Sequence, residues 1–152
     1  MQTIYQLLVV IHVLSAILGM GPGFYLTFVA SKAKNMTELR YAYSIRHRLH
    51  MFVMIGGFLL LASGLAMGLI RPALFSSFWY IASLALYLTA LAFGPFVLKP
   101  LTKPIKTLLS EHQHDNIPPE YMKLAEKLFR YEWITNIIFF IIILLMITKP
   151  AF

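Results

Sequence analysis

Along the chain, apolar residues gather into four long runs, near 4–30, 52–70, 78–98 and 133–148, separated by stretches that hold nearly all the charges. Each run approaches or meets the ~17–25 residues that a tilted helix needs to cross a bilayer. Lipid offers no water to backbone amides and carbonyls, so a continuous apolar run there is read as a helix, which satisfies them internally. The pattern predicts an all-α integral membrane four-helix bundle. Residues 1–152 form a single transmembrane domain, with polar connections at 31–51 and 99–132.

Composition narrows the class further. Hydrophobic residues make up 59% of the chain and charged ones 12%, with a mean hydropathy of +0.74. Soluble domains carry about 25% charged and ~45–50% apolar residues. A disordered chain and an ordinary cytosolic enzyme are therefore excluded, and four spans leave no room for a separate soluble domain. The absence of cysteine excludes a disulfide scaffold, a thiolate metal site, a catalytic thiol and covalent haem attachment. Met1-Gln2-Thr3 carries no basic residue, so the first run lacks the features of a cleavable signal peptide.

Charge sets the expected orientation. Eleven of the thirteen Lys and Arg residues lie in the two polar connections, against Arg71 and Lys149 on the other side. Basic connections stay in the cytoplasm, so both termini are expected outside a bacterial cytoplasmic membrane. The net charge of +7 then reports topology, and no nucleic-acid partner is implied. Within 99–132, Lys99-Pro100 and Lys103-Pro104 are expected to end the third span. Pro118-Pro119-Glu120 looks like a helix start. Residues 120–148 read as one helix about 43 Å long, its first turns extending into the cytoplasm.

His12 is the most informative side chain. It lies about 13 Å inside the first span, where ionisable groups face a bundle interior or a cavity. Ser15, Ala16, Gly19 and Gly23 share its face, a small-residue stripe that admits another backbone or a flat ligand. His12 thus reads either as an imidazole ligand to haem iron or as a histidine bonded to a neighbouring helix beside a packing seam. Gly19-Met20-Gly21-Pro22-Gly23 is expected to interrupt the same helix, either as a plain proline kink or as a transporter-like break.

A second cluster combines Arg46, Arg48 and His50 at the basic end of the second span with Glu132 and Asn136. It suits an anionic group, such as a haem propionate or lipid phosphate, or an interfacial anchor with snorkelling arginines. His12 and His50 are offset by about 15–20 Å along the bundle, too far to share a metal. That leaves a five-coordinate haem, a methionine partner (Met20 or Met67) or a haem shared across a dimer. His112 and His114 read as a solvated loop; Trp79, Tyr80 and Trp133 read as an interfacial belt. Met51, Met54 and Met67 read as packing. No phosphate-binding glycine loop, serine elbow or zinc-protease motif is present, so no catalytic residue is assigned.

His12-Val13-Leu14-Ser15-Ala16, Arg46-His47-Arg48-Leu49-His50, Ser63-Gly64-Leu65 and Phe78-Trp79 resemble the domain-of-unknown-function 2269 family of small bacterial four-helix membrane proteins. More distantly, His12 with Gly23, Tyr25 and Leu26 is similar to the first-span motif of membrane protoporphyrinogen oxidases, and also to the copper-resistance D-type membrane domain. The oxidase resemblance implies haem binding at His12. Gly19 stands where that motif has tryptophan, Thr27-Phe28 replaces its Pro-Arg pair, and no lysine lies within the third span. Porphyrinogen oxidation is accordingly not expected.

The resulting expectation is a b-type haem or porphyrin held by His12 as metal ligand, with Ser15, Gly19, Gly23, Tyr25, Arg46, Arg48 and His50 around it. Such a protein would serve redox, sensing or haem handling, as a homo-oligomer or with a membrane-complex partner. The alternatives are a cofactor-free interaction subunit and a small oligomeric transporter.

Overall fold

The computed structural model describes residues 2–150. Four helices long and apolar enough to span a membrane run up and down in sequence order: α1 (Gln2–Ser31), α2 (Met36–Ile70), α3 (Phe78–Glu111) and α4 (Pro119–Thr148). A short 3₁₀ turn, Pro72–Ser76, joins α2 to α3. At 1.5 Å per residue the helices are about 45–52 Å long, against a hydrocarbon core of about 30 Å. Each therefore has several turns to spare.

The spare length falls at the basic end, where the expected long connections turn out to be largely helix. α2 begins at Met36, and the Asn35 side chain caps it by accepting a hydrogen bond from the Glu38 amide at 2.8 Å. The Glu38 carboxylate accepts in turn from the Lys34 amide at 2.8 Å, a reciprocal arrangement close to a capping box. α3 does not stop at Lys99-Pro100. It passes through one turn of π-helix at Gly94–Leu98, around Pro95, and continues through Pro100 and Pro104 to Glu111. Pro100 sits in the first turn after that π segment, where its missing amide costs little. Nor do Gly19 to Gly23 interrupt α1, which runs unbroken with Pro22 inside it. α4 starts at Pro119, one residue from the expected position.

Two cores result. Outside the spans, Met36, Leu39, Tyr43, Ile105, Leu109, Tyr121, Ala125 and Leu128 bury one another, with Ala30 at the end of α1. Within the spans the buried set is smaller: Met20, Leu60, Tyr87 and Ile142. The difference comes from the solvent. Water drives apolar side chains inward, whereas lipid is as apolar as they are and leaves Ile4, Leu7, Ile55 and Phe58 exposed on the bundle surface.

The helix contacts are of two kinds. α1 and α2 cross with their backbones touching: a Cβ placed on Gly19 would come within 2.7 Å of the Gly57 amide nitrogen. α2 and α3 meet instead through tyrosines. The Tyr87 hydroxyl donates to the Gly57 carbonyl at 2.8 Å and the Tyr80 hydroxyl to the Gly64 carbonyl at 3.0 Å. Tyr80 is thus buried in the bundle rather than part of an interfacial belt, while Trp133 is exposed as expected.

Candidate functional site

The side chains singled out in the sequence separate into two polar groups along α1. Near the end remote from the basic connections, His12 Nδ1 lies 3.0 Å from Ser63 Oγ on α2. Ser63 itself donates back to the carbonyls of its own helix, at 2.6 Å from Leu59 and 3.1 Å from Leu60. Gly64 makes room for the ring: a Cβ there would stand 3.2 Å from His12 Cε1. The small-residue stripe below His12 is closed by the chain itself. Ser15 is buried and bonds the Ile11 carbonyl at 2.6 Å. Gly19 meets the Gly56–Gly57 backbone, and Gly23 faces Asn136 Oδ1 and Phe139 on α4. Tyr25 points outward and stacks at 5.1 Å on Phe28.

The second group lies about 22 Å further along α1. Arg46 on α2 and Glu132 on α4 form an ion pair through Nη2 and Oε1, both side chains nearly inaccessible at 9% and 8% exposure. Arg46 Nη1 also donates to the Leu26 carbonyl on α1. The remaining Glu132 oxygen accepts from Thr27 Oγ1 at 2.7 Å. Asn136, one turn further along α4, donates to the Gly23 carbonyl at 3.4 Å. Three helices are therefore tied at one level by a charge pair whose hydrogen-bonding capacity is largely used internally. Glu132 and Asn136 join Arg46 as the sequence suggested, but Arg48 and His50 face outward. Thr27 and the Leu26 carbonyl were not legible beforehand, because only the crossing of α1 over α2 and α4 brings them there.

Beside this pair, outside the spans, the Tyr43 and Tyr121 rings pack edge-to-face at 6.3 Å. Their hydroxyls are buried and, among the described residues, have no hydrogen-bond partner outside the pair. Burial, with the neighbouring phenol, pushes the Tyr43 hydroxyl well above the usual tyrosine range; burial does the same to Tyr121. Arg46 lies 5.1 Å over the Tyr43 ring, a cation–π contact added to its ion pair. His50, just before the second span, is held below the ordinary imidazole range by desolvation of its ring and then by the positive charges of His47, Lys106 and Arg46.

No group of three or more His, Cys, Asp or Glu side chains converges among the described residues. A haem needs an open slot beside its ligand, and the stripe next to His12 is filled by α2. The residues do not accommodate that group inside one chain. The two cations at the opposite end rest on aromatic rings, Arg71 4.0 Å over Tyr5 and Lys149 5.7 Å over Trp79.

The family described as predicted integral membrane protein (DUF2269) matches residues 6–150. The chain belongs to that family. No curated protein and no solved structure matches it. Membership agrees with the four apolar helices and makes the protein an integral membrane protein with a transmembrane bundle. The hydrogen bonds and the buried ion pair of the two polar groups along α1 lie inside the matched region.

Proposed function

We propose that this family member is a non-enzymatic accessory protein of the bacterial cytoplasmic membrane, a rigid bundle with its basic end in the cytoplasm. The observation that carries this reading is the closure of the glycine seam. Gly19, Gly56 and Gly57 bring α1 and α2 into backbone contact, and the buried Arg46–Glu132 pair secures α1 and α4 at the next level. Sites where small residues and buried charge would serve a ligand are used here to hold helices together. The basic split supports the orientation. The surface then available for a partner is the exposed basic end.

A second reading keeps b-type haem, carried at the lipid-facing side of His12 between two copies of the chain. It is favoured by one contact: Ser63 orients the His12 ring through Nδ1, as outer hydrogen bonds orient metal-binding histidines. Absorption spectra of the detergent-purified protein, oxidised and dithionite-reduced, separate the two readings. The accessory reading expects no Soret band in the protein or in His12→Ala after incubation with haemin, with a lowered unfolding temperature as the only effect of the substitution. A Soret band present in the parent and lost in His12→Ala would replace it with the haem reading.

A further inference from the structure

The groove between α2 and α3 at the basic end is lined by lysines and histidines that, among the described residues, make no ion pair with a carboxylate. Three hydrogen bonds set the helices alongside each other in antiparallel register: Tyr80 to Gly64, Tyr87 to Gly57, and Arg40 Nε to the Leu109 carbonyl at 3.0 Å. This register brings His47 and His50 level with the stretch after the π turn. There Lys99 and Lys106, two helical turns apart, share one face, while Lys103 turns toward the cleft that it lines with Glu111 and Glu120 between α3 and α4. All five side chains are exposed. The acids nearest the ends of the spans are already engaged, Glu132 by Arg46 and Glu126 by Arg130. Lys106 and His47 both act electrostatically on His50, which places the basic side chains of the two helices within reach of one another.

The apolar side of the groove is equally specific. α2 and α3 are held apart by inserted tyrosines instead of touching through glycines. The π turn adds one residue to α3 and rotates the remainder of that helix by about 100°. A Cβ on Gly94 would meet nothing within 4 Å, and Phe96 is 79% exposed. On α2 the facing turns carry exposed Met51, Met54 and Phe58, about 60–120° round the helix from Gly57, whose Cβ position faces Tyr87. Exposed apolar side chains of the two helices therefore continue directly from lysines that make no ion pair, at the level where the spans end.

We propose that this groove binds an anionic phospholipid, its phosphate held by Lys99 and Lys106 with His47 and His50 beside them, and its acyl chains lying along Gly94, Phe96 and Met54. Cations without acidic partners supply the attraction, and the π turn opens the space for the chains. The proposal stands whether or not His12 carries a haem, since the two places lie on different helix pairs.

Native mass spectrometry of the detergent-solubilised full chain, titrated with phosphatidylglycerol or phosphatidylcholine, tests it. The anionic lipid should bind more than about tenfold better than the zwitterionic one. Removing one groove cation should weaken it about fivefold, and Lys99→Gln with Lys106→Gln roughly twentyfold. Lys123→Gln with Lys127→Gln, which removes the same charge from exposed positions on α4, should leave binding within about twofold. The charge-preserving pair Lys99→Arg with Lys106→Arg should retain it. Equal binding of the two lipids, or equal loss in the α4 pair, would overturn the proposal. Displacement of the lipid by excess inorganic phosphate would also overturn it, by assigning the site to a free anion.

Discussion

Arg46 on α2 and Glu132 on α4, separated by 86 residues in sequence, form a buried ion pair that also grips α1 through Leu26 and Thr27. Charges withdrawn from water are costly, and their mutual attraction repays the cost only where the other donors and acceptors are satisfied. Here two of the remaining groups find partners on a third helix. The pair thus fixes which faces of α1, α2 and α4 meet, a matter on which nonspecific apolar packing in lipid is nearly indifferent.

Breaking this pair from one side should be much worse than removing it whole. Arg46→Met or Glu132→Gln should each cost about 3–5 kcal/mol, because the other member stays buried with its partner gone. Arg46→Met combined with Glu132→Leu should recover most of that loss. Thermal or denaturant unfolding of the three variants in one detergent measures it. A double variant no more stable than the singles would mean that the pair is not an isolated energetic unit.

The glycines of α1 and α2 differ sharply in what they permit. Gly56→Ala and Gly19→Ala both place a methyl group against facing backbone, so α1 and α2 must separate, with an expected loss of ~1–3 kcal/mol or more. Gly21→Ala meets nothing within 4 Å and should be neutral or slightly stabilising, since alanine favours helix. Disulfide trapping between cysteines introduced on the two helices would report the separation directly.

Three buried tyrosines should respond oppositely to loss of a hydroxyl. Tyr87→Phe removes the bond to the Gly57 carbonyl and should cost about 1 kcal/mol. Tyr43→Phe and Tyr121→Phe remove hydroxyls that, among the described residues, have no partner outside the pair and should leave stability unchanged or raise it. Unfolding midpoints compared across the three variants decide the matter. A large loss in Tyr43→Phe would reveal a partner for that hydroxyl.

The linker before α4 should control the start of α2. Asp115 accepts from the Thr37 amide at 3.2 Å and its hydroxyl at 2.9 Å, while its carbonyl accepts from the Met36 amide at 2.8 Å. Asp115→Ala and Asn35→Ala should each cost ~1 kcal/mol, the usual range for an N-terminal cap. Hydrogen exchange should accelerate over the first turns of α2 in both variants, while amides in the spans stay protected.

Orientation can be read with introduced thiols, because the chain has no cysteine of its own. Gln113→Cys lies at the basic end and Ser76→Cys in the turn at the other. In intact cells a membrane-impermeant maleimide should label the second and spare the first. The reverse pattern would place the basic end outside and remove the cytoplasmic orientation.

By itself the sequence determined the solvent and the architecture. Apolar runs of spanning length in a chain with 12% charged residues admit only transmembrane helices, and the start of α4 was readable from Pro118-Pro119-Glu120. The Gly19 and Gly56–Gly57 positions were visible as small residues, yet whether they faced a backbone or a ligand depended on which helix crossed them. The same holds for Arg46, whose basic neighbours Arg48 and His50 point elsewhere. The continuation of α3 past Pro100 and Pro104 was hidden as well, since proline weakens a helix locally and burial of Ile105 and Leu109 outweighs that cost. Hydropathy acts along a single helix and so survives in the linear pattern. Which polar groups meet is a property of pairs on different helices, and only the tertiary structure decides it.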